Sequence, residues 1–204
     1  EEDGARRRCV AGLRRVKEGC EIAEMPRGVG ITAKGWDESG RELPSAGADA
    51  RGERVVEGVF HRRAREDGNG EGYDTIAASG PHACYLHWTR NDGTVAPGDL
   101  ILVDAGVEAD RLYTADITRT LPVSGTFTEV QRRVYETVRE AADAAFAAAR
   151  VGVRFRDVHA AAMKVIAART AEWGLLPVTA DEAIDADKGG QHRRYMVQDR
   201  KSAG

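Results

Sequence analysis

LILVDAGVEADRLYTADITRTLP, residues 100–122, sets two carboxylates in an apolar run. The pattern reads as two strands joined by a polar turn near Ala109–Arg111, with Asp104 in the first strand and Asp116 in the second. Charged groups are rarely buried among Leu, Ile, Val and Ala without a partner, because desolvation costs too much. The partner can be a basic side chain such as Arg111 or Arg119, a backbone donor at a turn, or a metal ion. Asp104 follows LILV directly and so projects from a buried strand, and pairing about the turn brings Asp116 to nearly the same level. Two carboxylates converging in a dry site repel unless a cation sits between them. Oxygen ligands on rigid strands suit hard or borderline divalent metals.

Outward from the hairpin, the spacing alternates between helices and strands. Val10, Leu13, Val16, Ile22 and Met25 recur at helical intervals over 10–25. Residues 26–47 carry Pro26, Gly28, Gly30, Gly35, Gly40, Pro44 and Gly47, which predict a weak helix or a loop. A helix returns over 52–66, with Val55, Val56, Val59 and Phe60 apolar. DGNGEG (67–72) is a turn by composition. Strands are expected at YDTIAASG and at CYLHWT. After the hairpin, Thr128 and Gln131 form a capping box, followed by an apolar stripe through Val130, Val134, Val138, Ala142, Ala145 and Ala149, with Gly152 as a left-handed stop. A further helix is predicted over 155–173, with Val158, Ala162, Val165 and Ile166 inward and Gly174 after it. The last thirty residues read as polar and irregular. Strands grouped between helices give an α+β class.

Composition excludes little but orders the priors. Of 204 residues, 42% are hydrophobic and 31% charged, with a net charge of −3, so there is no general electrostatic case for nucleic acid or a membrane surface. Three irregularly spaced cysteines (Cys9, Cys20, Cys84) support neither a disulfide framework nor a zinc knuckle. With no signal-peptide pattern and no long apolar run, a cytoplasmic location is the default expectation. The opening EEDGARRR has the look of a fragment's start.

GPHACYLHWTRND, GDLILVDAGVEADRLYTADITRTLPVSG and VYETVREA together resemble the pita-bread (creatinase/aminopeptidase-like) metallopeptidases, most of all the actinobacterial Xaa-Pro aminopeptidase (aminopeptidase P) branch. LRRVKEGCEIAEM resembles the helix that opens the catalytic domain there. The eleven residues between Asp104 and Asp116, one more than the commonest family spacing, fit that branch. The resemblance implies a partial pita-bread fold, with the first half of the sheet and the central helices. It implies residues 1–51 as a poorly matched linker and helical lead-in, 52–197 as an incomplete peptidase domain and 198–204 as a divergent tail. It implies a dinuclear-metal hydrolase that removes the N-terminal residue from peptides with proline second. Asp104 would chelate one metal, Asp116 would bridge both, and His87 would contact substrate or transition state. The two divalent ions would be manganese, with cobalt or zinc as alternatives, and family members often form homo-oligomers. His82 is also a family feature, without an assigned role.

The family's cage has three further ligands, a histidine and two glutamates. QHRRYMVQDRKSAG (191–204) resembles the approach to the histidine motif but departs from it at Gln198, and no residue matches the glutamates. His192 precedes the expected position. These residues by themselves are therefore expected to be inactive. The alternatives are a non-catalytic peptide- or protein-binding module on the same fold and a decayed gene product.

Overall fold

The computed structural model describes residues 2–185. They belong to two compact units, Glu1–Thr126 and Phe127–Gly204.

The first unit opens with α1 (Glu2–Arg15) and α2 (Gly19–Ala46). The helix expected over 10–25 is divided at 16–18, where the Glu21 carboxylate accepts the Glu18 N–H at 2.6 Å and starts a new helix. The larger correction is α2 itself, a single helix of 28 residues through the stretch read as a weak helix or a loop. Two of its glycines, Gly28 and Gly35, are packing positions. Glu24, Gly28, Thr32, Gly35, Trp36, Ser39, Leu43 and Ala46 are buried at helical spacing. A methyl group on Gly35 would stand 2.8 Å from the Phe60 ring. Pro26 and Pro44 lie on the exposed side, where a helix tolerates a missing bond because water reaches the freed carbonyl.

α3 (Gly52–Asp67) packs on α2, with Val56, Phe60 and Ala64 inward. Burying Phe60 completely contributes about 1.5–3 kcal/mol. Beneath the helices lies an antiparallel sheet of β2 (Ile76–Ser79), β3 (Leu100–Ala105) and β5 (Ile117–Pro122) in the order β2-β3-β5. A two-stranded ribbon pairs β1 (Gly70–Glu71) with β4 (Val107–Glu108). The strand expected at CYLHWT is absent: Gly80–Cys84 form a 3-10 turn, and residues 85–99 follow without a strand.

Side chains alternate across β3. Ile101, Val103 and Ala105 enter the core, while Leu100, Leu102 and Asp104 face the opposite, half-buried side. The core also takes Trp36, Leu43, Val95 and Val107. The hairpin turn runs from Ala109 to Tyr113, with the Ala109 N–H donating to the Tyr113 carbonyl at 2.9 Å. Asp104 is opposite Thr118 in register, so Asp116 precedes β5 instead of lying in it.

The second unit holds α4 (Glu129–Ala148), α5 (Phe155–Glu172) and α6 (Ala180–Ile184). The Thr128–Gln131 capping box is present. α4 packs on α5, and its buried residues are Thr137 and Ala141, with Ala167 buried on α5. Val130, Val134 and Val138 of the apolar stripe are exposed. Gly152 is left-handed (φ 86°) but lies beyond the end of α4, whereas Gly174 (φ 70°) follows directly on α5 and its cap Trp173. Part of the tail read as irregular is helical, since Thr179 and Glu182 cap α6 reciprocally.

Candidate metal centre

β3 delivers Asp104 to the open face of the sheet, and the turn after the Thr114 bridge delivers Asp116 beside it. Two glycines make the approach possible. A Cβ on Gly106 would overlap the Ala115 carbonyl oxygen at 1.6 Å, and a Cβ on Gly72 would overlap the Thr114 side chain at 2.1 Å. The glycine of the DAG triplet therefore lets residues 115–116 cross close to residues 104–106. Neither Arg111 nor Arg119 neutralises the pair: Arg111 faces Glu24 at 3.9 Å, and Arg119 donates to the Thr118 carbonyl. Asp104 is half-buried and Asp116 exposed, so the site is wetter than a buried hairpin would make it.

The shared partner is Tyr73, just ahead of β2. Its hydroxyl meets Asp104 Oδ1 at 2.6 Å and Asp116 Oδ1 at 3.1 Å. Burial, and then the bond to Asp104 and the charges of both aspartates, raise the Tyr73 pKa far above its ordinary value, so the hydroxyl keeps its proton. One hydroxyl has one proton, which is too little for two carboxylates. The remaining lone pairs are oxygen donors of the kind that divalent ions take. The donor set fits part of a metal shell: among the described residues no group of three or more His, Cys, Asp and Glu converges on one point.

Tyr73, Asp104, Asp116 and His87 line one cavity of about 340 Å³, with Asp74, Ile76 and Thr89. His87 is exposed and comes from the irregular segment after the 3-10 turn. All three residues singled out in the sequence are thus brought together. A larger groove of about 560 Å³ between α2 and β5 contains none of them. His82 turns away from the cavity to Glu53 and stacks on Trp88. Sequence reasoning missed Tyr73 and Glu53. Tyr73 looks like an ordinary strand aromatic, and Glu53 like a helix-first-turn acid. Residues 191–204, including His192 and Gln198, lie outside the described residues.

A sequence model of metallopeptidase family M24 matches residues 12–194. The chain belongs to metallopeptidase family M24. It is 47% identical over 197 residues to Xaa-Pro aminopeptidase 2 of Streptomyces coelicolor, covering 97% of this chain and 41% of that protein. Xaa-Pro aminopeptidase 1 of the same organism is 45% identical over 197 residues, with 39% of it covered. The M24 chain therefore spans about two-fifths of the length of these curated relatives. Its backbone superposes on zinc-substituted Escherichia coli aminopeptidase P in complex with product with a TM-score of 0.78 at 32% identity, covering 84% of this chain and 38% of that one. The Pseudomonas aeruginosa aminopeptidase gives 0.74 at 33%. The α+β, partial pita-bread fold read from the sequence is the fold found.

Proposed function

We propose that this M24 chain carries part of the catalytic site of a metal-dependent Xaa-Pro aminopeptidase, a hydrolase releasing the N-terminal residue from peptides with proline second. The observation that carries the reading is the Asp104–Asp116 pair, held by one neutral hydroxyl in the cavity that also receives His87. Asp104 and Asp116 would hold a pair of divalent ions, manganese first and cobalt or zinc as alternatives, which supply a Lewis acid and an acidified water. Tyr73 orients both carboxylates and, staying protonated, adds no third negative charge. His87, open to solvent across the cavity, is the residue available to bond the peptide. Residues 1–51 serve as the helical lead-in, 52–197 as an incomplete peptidase domain and 198–204 as a divergent tail. The setting is cytoplasmic, the partner a peptide and not nucleic acid or membrane, and the assembly a homo-oligomer. In support, the net charge is −3, and no described helix is long and apolar enough to cross a membrane.

The test is manganese uptake by this chain, followed by electron paramagnetic resonance. Asp116→Ala should abolish it, and uptake unchanged by that substitution rejects the site. Two aspartates without histidine and glutamate partners bind first-row metals weakly. These residues alone should therefore turn over no Ala-Pro peptide, and hydrolysis that depends on manganese and on Asp104 would contradict this. The scarcity of converging ligands among the described residues also favours a second reading, a non-catalytic peptide-binding module on the same fold. A proline-second peptide bound with equal affinity by the Asp104→Asn variant would favour that module.

A further inference from the structure

We infer that Glu53 is a positioning residue: its buried carboxylate fixes the path of residues 79–93 and so sets where His87 stands in the cavity of Asp104 and Asp116. The inference rests on the reading of His87 as the substrate-side residue of that cavity.

Glu53 lies in the first turn of α3, fully buried, and does not line the cavity. Four donors converge on its two oxygens. Oε1 accepts the Ser79 N–H at 2.8 Å and faces His82 Nδ1 at 2.9 Å. Oε2 accepts the Trp88 indole N–H at 2.9 Å and the Gly93 N–H at 2.7 Å. In return, the Glu53 N–H donates to the Gly93 carbonyl at 3.1 Å. These contacts fall before His87, on the residue beside it, and after it. Between Ser79 and Gly93 there is no strand, and the backbone bonds within the segment are short-range turns such as Thr89 N–H to the His87 carbonyl, so its long-range ties come from side chains: Glu53, Asn91, and Arg54 on the Arg90 carbonyl.

The chemistry at this point demands a carboxylate. Two carboxylate oxygens offer lone pairs for all four donors, whereas an amide would turn an N–H₂ toward one pair of them. Space is equally constrained, because a Cβ on Gly93 would stand 2.6 Å from the His82 ring and 2.9 Å from the Glu53 carboxyl carbon. The His82 ring stacks on Trp88 with centroids 3.9 Å apart, locking the indole that adjoins His87. A second buried anchor, Asn91, takes the Ala77 N–H and donates to the Thr75 carbonyl, tying the far end of the loop to β2.

The test is nuclear magnetic resonance on the isotope-labelled chain without metal, comparing wild type with Glu53→Gln. The variant should still melt cooperatively. Amide exchange at Ser79 or Gly93 should quicken by about tenfold or more, as expected for a lost bond to a charged acceptor. The His87 ring Cε1–H signal should shift or split, while the β3 amides stay in place. A merely structural Glu53 would lower the melting temperature and leave the His87 signal single and unmoved; that outcome overturns the inference. If Glu53→Gln fails to fold, Trp88→Phe decides, since it removes one of the four donors and keeps an aromatic ring. Its His87 signal must move, and an unmoved signal again overturns the inference. Manganese is then added separately. Absence of broadening at Tyr73 and Asp104 counts against the metal reading alone, because the His87 comparison is made without metal.

Discussion

At Gly106 a hydrogen atom in place of a methyl group lets the Ala115 carbonyl pass, and with it Asp116 reaches the neighbourhood of Asp104. Gly106→Ala should displace that segment, destabilise the chain by about 1–3 kcal/mol in urea titration and abolish manganese uptake. Uptake at wild-type level would show that the close approach is dispensable. Tyr73 gives a prediction in pH. Its pKa is raised in the folded state by burial and by Asp104, whereas in the unfolded chain it ionises near 10.0. The stabilisation is therefore fully present below about pH 10 and is lost as pH rises above it, because only the unfolded chain releases the proton. Tyr73→Phe should flatten the alkaline fall in urea midpoint, and an equally steep fall would assign it to other groups. The two aspartates were legible in the sequence as carboxylates out of place in an apolar run. Tyr73 was not, because it lies 31 positions from Asp104 and its role appears only when β2 lies beside β3.

Helix α2 shows how elements escape a local reading. Interior Gly and Pro each disfavour an isolated helix, by about 1 and 3 kcal/mol. Burial of one face against α3 and the hairpin offsets that cost, and Gly28 and Gly35 are what permit the contact. The same residue type then gives opposite outcomes at two positions. Gly30→Ala meets nothing within 4 Å and should stabilise the chain by about 0.5–1 kcal/mol through helix propensity. Gly35→Ala drives a methyl group into the buried Phe60 ring and should destabilise it by about 1–3 kcal/mol. Thermal unfolding of both variants checks the pair, and equal signs would refute the packing account. The capping box at Thr128 was legible because all its donors and acceptors lie within one turn. The strand expected at CYLHWT failed for the converse reason. Alternating apolar residues suit a strand, but Trp88 and His82 are drawn to a carboxylate on α3.

Across the whole molecule, every residue of the main buried cluster, from Trp36 to Val107, and its flanking Ile31, Ile117, Leu121 and Val123 belong to the unit Glu1–Thr126. A polypeptide of residues 1–126 should therefore unfold cooperatively, with its circular-dichroism transition matching one in the 204-residue chain. A gradual, non-cooperative melt would place part of that core's support in the helices beyond. The exposed Val130, Val134 and Val138 stripe on α4 belongs to the same scale. Its period was legible in the sequence and its exposure was not, because a helical repeat names a face without naming what covers it.

The sequence by itself determined the class of the chain, the two aspartates of the hairpin and the start of α4. Each follows from side-chain chemistry or from bonds within a few residues. Tertiary structure alone decided that α2 is continuous, that Tyr73 holds the aspartate pair, that Gly106 admits Asp116 and that Glu53 gathers the His87 loop. The physical reason is common to all four. They depend on burial and on hydrogen bonds between segments far apart in the chain, and such contacts have free energies that no local pattern carries.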